Sequence, residues 1–293
     1  MCGIVGAIVE RNVTEILLEG LKRLEYRGYD SAGIALLAPD RKTLKVHKTA
    51  GKVNKLAERV LGKALRGHVG IAHTRWATHG KPTNANAHPH SSGGQIAIVH
   101  NGIIENFEKL REKLSKSGYQ FATQTDSEVI AHLIHLERKG NKVSLFAATQ
   151  KAIRRLEGAY GICVADAATP DELIVARSGS PLVIGVGIGE NFVASDPHAL
   201  GQVTDQFVYL EEGDIARITR ESYEIWHDGK QIKRKISTVA GRSSDGDKGP
   251  YKHFMLKEIY EQPAVIRDTL DGRISKNKVL ENAFGVKIGR AHV

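Results

Sequence analysis

The residue whose type and position most invite chemistry is Cys2, which stands directly behind the initiator methionine and ahead of Gly3. With Met1 removed, one carbon skeleton carries both a thiol and a free α-amine. An α-amine titrates at about 7.7–8.0 and a cysteine thiol at about 8.5, so near neutral pH the amine is able to take the thiol's proton. A nucleophile and its base within one residue suit acyl transfer. The competing reading of Met-Cys alone is a small buried residue opening a strand.

Further polar stretches supply what such a nucleophile needs. His73-Thr-Arg-Trp-Ala-Thr-His-Gly80 follows an apolar run. Within it Arg75 offers two parallel hydrogen bonds to a carboxylate, and Trp76 is placed to close over a ligand. Asn86-Ala-His-Pro-His90 reads as a polar loop. His100-Asn-Gly-Ile-Ile-Glu-Asn106 follows another apolar run, and there the Asn101 amide beside the Gly102 N–H makes a pair of donors for an oxyanion. Thr125-Asp-Ser-Glu128 opens a helical pattern, where Asp126 serves either a ligand or simply the helix as its cap. Histidines 73, 79, 88 and 90 raise the question of a metal. No carboxylate or thiol falls at ligand spacing among them, and Pro89 separates His88 from His90, so no metal is expected.

The elements that must position these residues can be read from periodicity. Cys2–Val9 is β-rich, and Thr14–Tyr26 has helical spacing with Thr14 at the N-cap. Strands are expected at Ala32–Leu37, Leu44–His47, Val69–His73 and Gln95–His100, and helices at Lys52–Leu61, Glu105–Gly118, Ser127–Lys139 and Val143–Leu156. From Gly161 the chain reads as successive strands, ending with Ser222–Trp226 before an Asp-Gly turn. The interleaving lacks regular βαβ alternation, which implies α+β with extensive antiparallel sheet. Gly185-Val-Gly-Ile-Gly189 imitates a dinucleotide loop, but its third glycine comes one residue early and strand-like sequence follows it, so it reads as a tight turn. Residues 232–250 read as a linker, and Tyr251–Leu270 as a helix beyond it.

Composition narrows the classes. The 293 residues are 41% hydrophobic and 26% charged, which describes a folded globular chain. Two cysteines rule out a disulfide-dense scaffold or a four-thiolate zinc site. No stretch approaches the roughly 20 apolar residues of a membrane span, and no positive region precedes Ile4–Val9, so neither a span nor a signal peptide is expected and the cytoplasm is the expected location. The net charge of +9 is spread along exposed helix faces mixed with Glu, as in Lys109–Lys116, so nucleic acid is not expected as a partner.

Met1–Gly6, Leu24–Gly33, His73–Gly80, Asn86–His90 and His100–Asn106 together resemble the class II, N-terminal nucleophile glutamine amidotransferases. Arg177–Leu182, Ala194–Asp196, Glu211–Asp214 and Lys257–Pro263 are similar to the branch that passes ammonia to fructose 6-phosphate on a downstream sugar isomerase domain. The likeness runs over roughly residues 2–275 and leaves Val286–Val293 unassigned. It implies an α+β fold: a four-layer αββα sandwich of the N-terminal nucleophile hydrolase type, with two stacked antiparallel sheets. It implies a glutaminase domain at 2–231, the linker at 232–250 and the start of a sugar isomerase domain at 251–285. By the same resemblance Cys2 attacks the side-chain amide of L-glutamine, Asn101 and Gly102 form the oxyanion hole, Arg75 grips the α-carboxylate and Asp126 the α-ammonium. Trp76 and Thr78 belong to the loop over the site, with His79, His88 and Arg27 lining or neighbouring it. No cofactor is implied. Fructose 6-phosphate would be reached only through the isomerase domain, and the longer protein would be a homodimer. This chain alone would hydrolyse glutamine. A non-catalytic glutamine-binding or dimerisation fragment, or an amidotransferase with another acceptor, are the alternatives.

Overall fold

Alternation along the first strand sets the architecture. In the computed structural model β1 (Gly3–Ile8) is buried along its whole length, with Ile4 and Ile8 in one apolar cluster and Val5 and Ala7 in another. A strand with period two and two apolar faces belongs between two layers. The structure describes residues 2–38, 40, 42–63, 65–77, 80–239, 250–270, 274–275 and 278–279.

After β1 come α1 (Thr14–Leu24), β2 (Ser31–Leu37), β3 (Leu44–Ala50), α2 (Val53–Leu61) and β4 (Val69–Arg75). There follow β5 (His90–Ser92), β6 (Ile96–Ile104), α3 (Phe107–Lys116), α4 (Glu128–Arg138) and α5 (Leu145–Ile153). The remaining strands are β7 (Gly158–Asp166), β8 (Leu173–Ser178), β9 (Val183–Val186), β10 (Asn191–Ala194), β11 (Gln206–Tyr209), β12 (Ile215–Ile218), β13 (Tyr223–His227), β14 (Lys230–Ile232) and β15 (Ile236–Thr238). One sheet runs β15-β11-β9-β10-β1-β4-β2-β3 and the other β14-β13-β12-β8-β7-β6-β5, and the pairings are antiparallel.

Three apolar clusters glue four layers. Leu17, Leu21 and Leu24 of α1 and Leu56 and Val60 of α2 cover the outer face of the first sheet against Val5, Ile34 and Phe192. Between the sheets Ile4, Ile71 and Val193 meet Val99, Cys163 and Val175. On the far side Leu110, Leu133 and Ala148, from α3, α4 and α5, cover Ile98, Ile162 and Ile174. Each fully buried Leu or Ile contributes about 1.5–3 kcal/mol of transfer free energy. The expected αββα sandwich is therefore present. The second cysteine, Cys163, is a core residue whose thiol burial pushes far up.

Several local expectations change. Thr14 is the first residue of α1 rather than its cap, and the side-chain acceptor at that end is Asn12, whose Oδ1 takes the N–H groups of Thr14 (3.4 Å) and Gly67 (3.2 Å). Strand β6 does not stop at His100 but continues through Asn101 and Gly102 to Ile104, paired with β7 throughout. His90, read as the end of a loop, opens β5. The Asp228-Gly229 turn joins β13 to β14 with both residues at positive φ (48° and 76°), which suits the twist of a two-residue hairpin. The 187–189 glycines do form a turn, closed by Gly187 N–H donating to Glu190 O (3.0 Å).

The sheet also extends past the expected domain end at 231. Ile232 closes β14 in the second sheet, residues 233–235 carry no strand, and Ile236–Thr238 pairs with β11 as the edge strand of the first sheet. Three-residue strands at a sheet edge carry too little periodicity to read. Most of the remaining linker, 240–249, and the tail 286–293 lie outside the described residues.

The chain divides into two compact units, 1–241 and 242–293. In the second, α6 (Phe254–Leu270) matches the helix expected over Tyr251–Leu270, with Tyr260 stacked on Tyr251 at 5.5 Å between ring centroids. Among the described residues no helix is long and apolar enough to cross a membrane.

Candidate active site

Cys2 sits at the start of β1, and three elements converge on it. Gly3 pairs with Thr74, so β4 delivers Arg75 and Trp76 alongside the cysteine. The Trp76 N–H donates to Cys2 Sγ at 3.2 Å, and the thiol in turn lies 3.6 Å from Trp76 O. From the second sheet, β6 brings Asn101, whose Nδ2 donates to Cys2 O at 3.1 Å. Ser195, just after β10, pins the first turn of the strand by accepting the Ile4 N–H (3.0 Å). Burial raises the Cys2 pKa, opposed by the Trp76 hydrogen bond and nearby positive charge, so the resting group is a thiol.

Gly102 occupies a position no other residue fits. Its φ is 127°, and a Cβ there would lie 2.0 Å from Ala159 O on β7. The Asn101-Gly102 pair is thus held inside a paired strand. Gly28 has a related role: a Cβ on it would come within 2.9 Å of the Trp76 nitrogen. Its absence lets the Arg75–Trp76 backbone pass close.

Arg75 is buried and donates to Gly80 O at 3.3 Å. Burial pulls its pKa down, opposed by the carboxylates of Asp126 and Asp30 and by Cys2 whenever its thiol ionises. Asp126 does not cap α4. Its Oδ2 accepts the N–H of Ile104 on β6 (2.8 Å), and its Oδ1 accepts the Ser127 hydroxyl (3.3 Å). The loop carrying it is fixed by Glu128, which accepts from Ala122 N (2.9 Å), Thr123 N (2.8 Å) and Thr123 Oγ1 (2.7 Å). Burial would raise the Glu128 pKa, but hydrogen bonds from His132, Ala122 and Thr123 outweigh it and bring it down to about 2.

The structure therefore brings Cys2, Arg75, Trp76, Asn101, Gly102 and Asp126 together. Trp76 is partly exposed and meets Tyr29 edge-on at 5.9 Å. Thr78 and His79 lie outside the described residues. The Arg27 guanidinium pairs with Asp196, which caps the short helical turn Pro197–Leu200. His88 is buried as support, its Nδ1 accepting the His100 N–H (3.3 Å) and its ring stacked on His73 at 4.2 Å. His73, His88, His90 and His100 are all buried, and burial pushes each below the ordinary imidazole pKa, His88 and His90 well below it and His73 to about 3. Among the described residues no group of three His, Cys, Asp or Glu is arranged to hold a metal.

Two supporting residues carried no sequence signal of their role. Asp30 accepts the Ala77 N–H (2.9 Å) and donates its own N–H to Arg75 O (3.1 Å), tying the Arg75–Ala77 segment to the start of β2. Asn86 bridges two loops, with Nδ2 donating to Lys81 O (3.0 Å) and Gln124 Oε1 (3.2 Å) and Oδ1 accepting Gln124 N–H (2.9 Å). Both lie in stretches already singled out, but Ala77 lies 47 residues from Asp30 and Gln124 lies 38 from Asn86.

A cysteine at the start of the central strand of an αββα sandwich, with the Asn101 side chain hydrogen-bonded to its carbonyl, points to a class, and sequence comparison gives the same class. Residues 73–202 match the family model described as glutamine amidotransferase domain. The glutamine phosphoribosylpyrophosphate amidotransferase from B. subtilis, solved with ADP and GMP, is 28% identical with a TM-score of 0.66 over 77% of this chain and 49% of that one. The chain carries a glutamine amidotransferase domain, and its structural neighbours are N-terminal nucleophile amidotransferases. Within them it is similar to the glutamine–fructose-6-phosphate aminotransferases (isomerizing) of Idiomarina loihiensis, at 60% identity over 97% of this chain, and of Pseudomonas syringae pv. tomato, at 57% over 97%. The chain spans about half the length of these curated relatives, 47% and 46% respectively, and corresponds to their N-terminal half.

Proposed function

We propose that this chain hydrolyses the side-chain amide of L-glutamine, with Cys2 as nucleophile and its own α-amine as base once Met1 is removed. The observation that carries the reading is the convergence on Cys2: Trp76 N–H on its sulfur and Asn101 Nδ2 on its carbonyl, beside a buried Arg75. Because burial keeps the thiol protonated, a base is required, and the α-amine on the same residue is tuned to neutral pH. As the amine takes the thiol proton, the sulfur bonds to the amide carbon and the carbonyl electrons move onto oxygen, where Asn101 and Gly102 donate. The amine then protonates the leaving nitrogen, the C–N bond breaks, and ammonia departs from a thioester. Water adds to the thioester with the amine as base, the C–S bond breaks, and glutamate leaves with the thiol restored.

Arg75 supplies the fork for the α-carboxylate and Asp126 the countercharge for the α-ammonium, so a free amino acid is the substrate class. Trp76, with Thr78 and His79, forms the loop over the bound glutamine. In the longer relatives' context, ammonia would pass to fructose 6-phosphate to give glucosamine 6-phosphate, with 251–285 opening the isomerase domain and the full protein a cytoplasmic homodimer.

The test is release of glutamate and ammonia by protein of known N-terminal mass. Equimolar products from glutamine, and turnover of asparagine and simple amides lower by at least about tenfold, are expected. Glutamine binding without turnover by the Met-free protein would overturn the reading.

A further inference from the structure

Asn101 serves as an oxyanion donor only if its carboxamide faces one way. Rotated by half a turn about its last bond, it would aim Oδ1 at the developing negative charge and repel it. What fixes the amide is His73 on the neighbouring sheet. His73 Nε2 lies 3.0 Å from Asn101 Oδ1 and 3.1 Å from the backbone carbonyl of His100. A backbone carbonyl only accepts, so Nε2 must carry the ring proton. A protonated Nε2 in turn requires an acceptor on Asn101, which directs Oδ1 to the histidine and leaves Nδ2 for Cys2 O and the reaction centre. The other ring nitrogen, Nδ1, is buried with no hydrogen-bond partner, as suits the bare nitrogen of this tautomer. Stacking on His88 at 4.2 Å and 19° between ring planes holds the imidazole in place.

We propose that His73 is the positioning residue for the Asn101 carboxamide, a neutral Nε2–H donor that keeps Nδ2–H turned toward the carbonyl attacked by Cys2. The assignment rests on the glutaminase reading for its catalytic consequence, but not for its geometry. Burial, which brings the His73 pKa down to about 3, keeps the ring neutral wherever the enzyme works.

The experiment is a double-mutant cycle on glutamine turnover with His73→Phe, His73→Gln, Asn101→Ala and the double variant His73→Phe/Asn101→Ala. Losing one oxyanion donor costs about 10²–10³ in kcat, so misaligning it through His73→Phe is expected to cost about 10–100-fold in kcat with KM changed less than about threefold. Gln places an N–H close to the Nε2 position and is expected to restore kcat to within about fivefold of wild type. In the Asn101→Ala background His73→Phe should cost no more than about twofold, since there is no amide left to orient. Additive losses in the cycle, or His73→Gln as poor as His73→Phe, would overturn the assignment. If the wild-type protein proves to have no glutaminase activity, the functional reading fails, and the ring ¹⁵N shifts of His73 still decide the geometry. A neutral ring protonated at Nε2 between about pH 5 and 8 upholds it, and an Nδ1–H tautomer or a cationic ring overturns it.

Discussion

At the scale of single residues, the site divides into groups that touch the substrate in the proposed reaction and groups that hold those in place, and the two should fail differently. Arg75→Lys keeps the charge but loses the planar fork, so KM for glutamine should rise by about 10–100-fold while kcat stays within about threefold. Steady-state kinetics reads this directly, and an unchanged KM would remove Arg75 from carboxylate binding. Gly102→Ala should be worse in kind: its Cβ would collide with Ala159 O at 2.0 Å, so both turnover and the melting temperature should fall. Arg75, Trp76, Asn101 and Gly102 stand out in the sequence because they sit in polar stretches that follow apolar runs, Cys2 because of its place behind Met1, and Asp126 because it opens a helical pattern. Asp30 and His73 were not given their roles, because a hydrogen bond to a residue 47 or 28 positions away leaves no trace in spacing. The Arg27–Asp196 pair was unreadable for the same reason, since the two lie 169 residues apart.

At the scale of elements, the long two-faced strands and the amphipathic helices were readable, since burial on both sides demands near-continuous apolar runs. The continuation of β6 through Asn101-Gly102 was hidden because Asn and Gly ordinarily signal a turn, whereas here a positive φ and close contact with β7 keep the pair in the ladder. The polar layer between β4, β5, β6 and α4 makes its own prediction. His73, His88, His90 and His100 are neutral in the fold with pKa values below the ordinary 6.5, so below pH 6.5 the unfolded chain binds protons that the folded chain refuses. Stability therefore rises with pH through this window and is lost as pH falls from about 6.5 towards 3. Glu128, held down to about 2, adds a loss of the same sign below about 4.5. Urea unfolding between pH 7 and 4 should show this decline, and His90→Asn should flatten it. A flat profile in the parent protein would mean that these imidazoles are not buried as neutral groups.

At the scale of the whole molecule, the three apolar clusters lie within residues 5–225, or closely around them, while the last strand of the first sheet ends at Thr238. A chain ended after residue 241 should unfold as one cooperative unit. One ended at 231 loses β15 and uncovers the edge of β11, and its melting temperature should drop by at least about 4 °C, the shift expected for 1–2 kcal/mol in a domain of this size. Equal melting temperatures for the two would place the end of the domain at 231.

All three scales lead back to Cys2, whose thiol is useful only beside a free amine. The most direct measurement is glutamine hydrolysis by preparations whose N-terminal mass is known, comparing Met1-free protein, Met1-retaining protein and Cys2→Ala. Turnover confined to the Met1-free wild type, with the other two reduced by about 10³-fold or more, is the expected result. Turnover at the wild-type rate by either the Met1-retaining protein or Cys2→Ala would contradict the account.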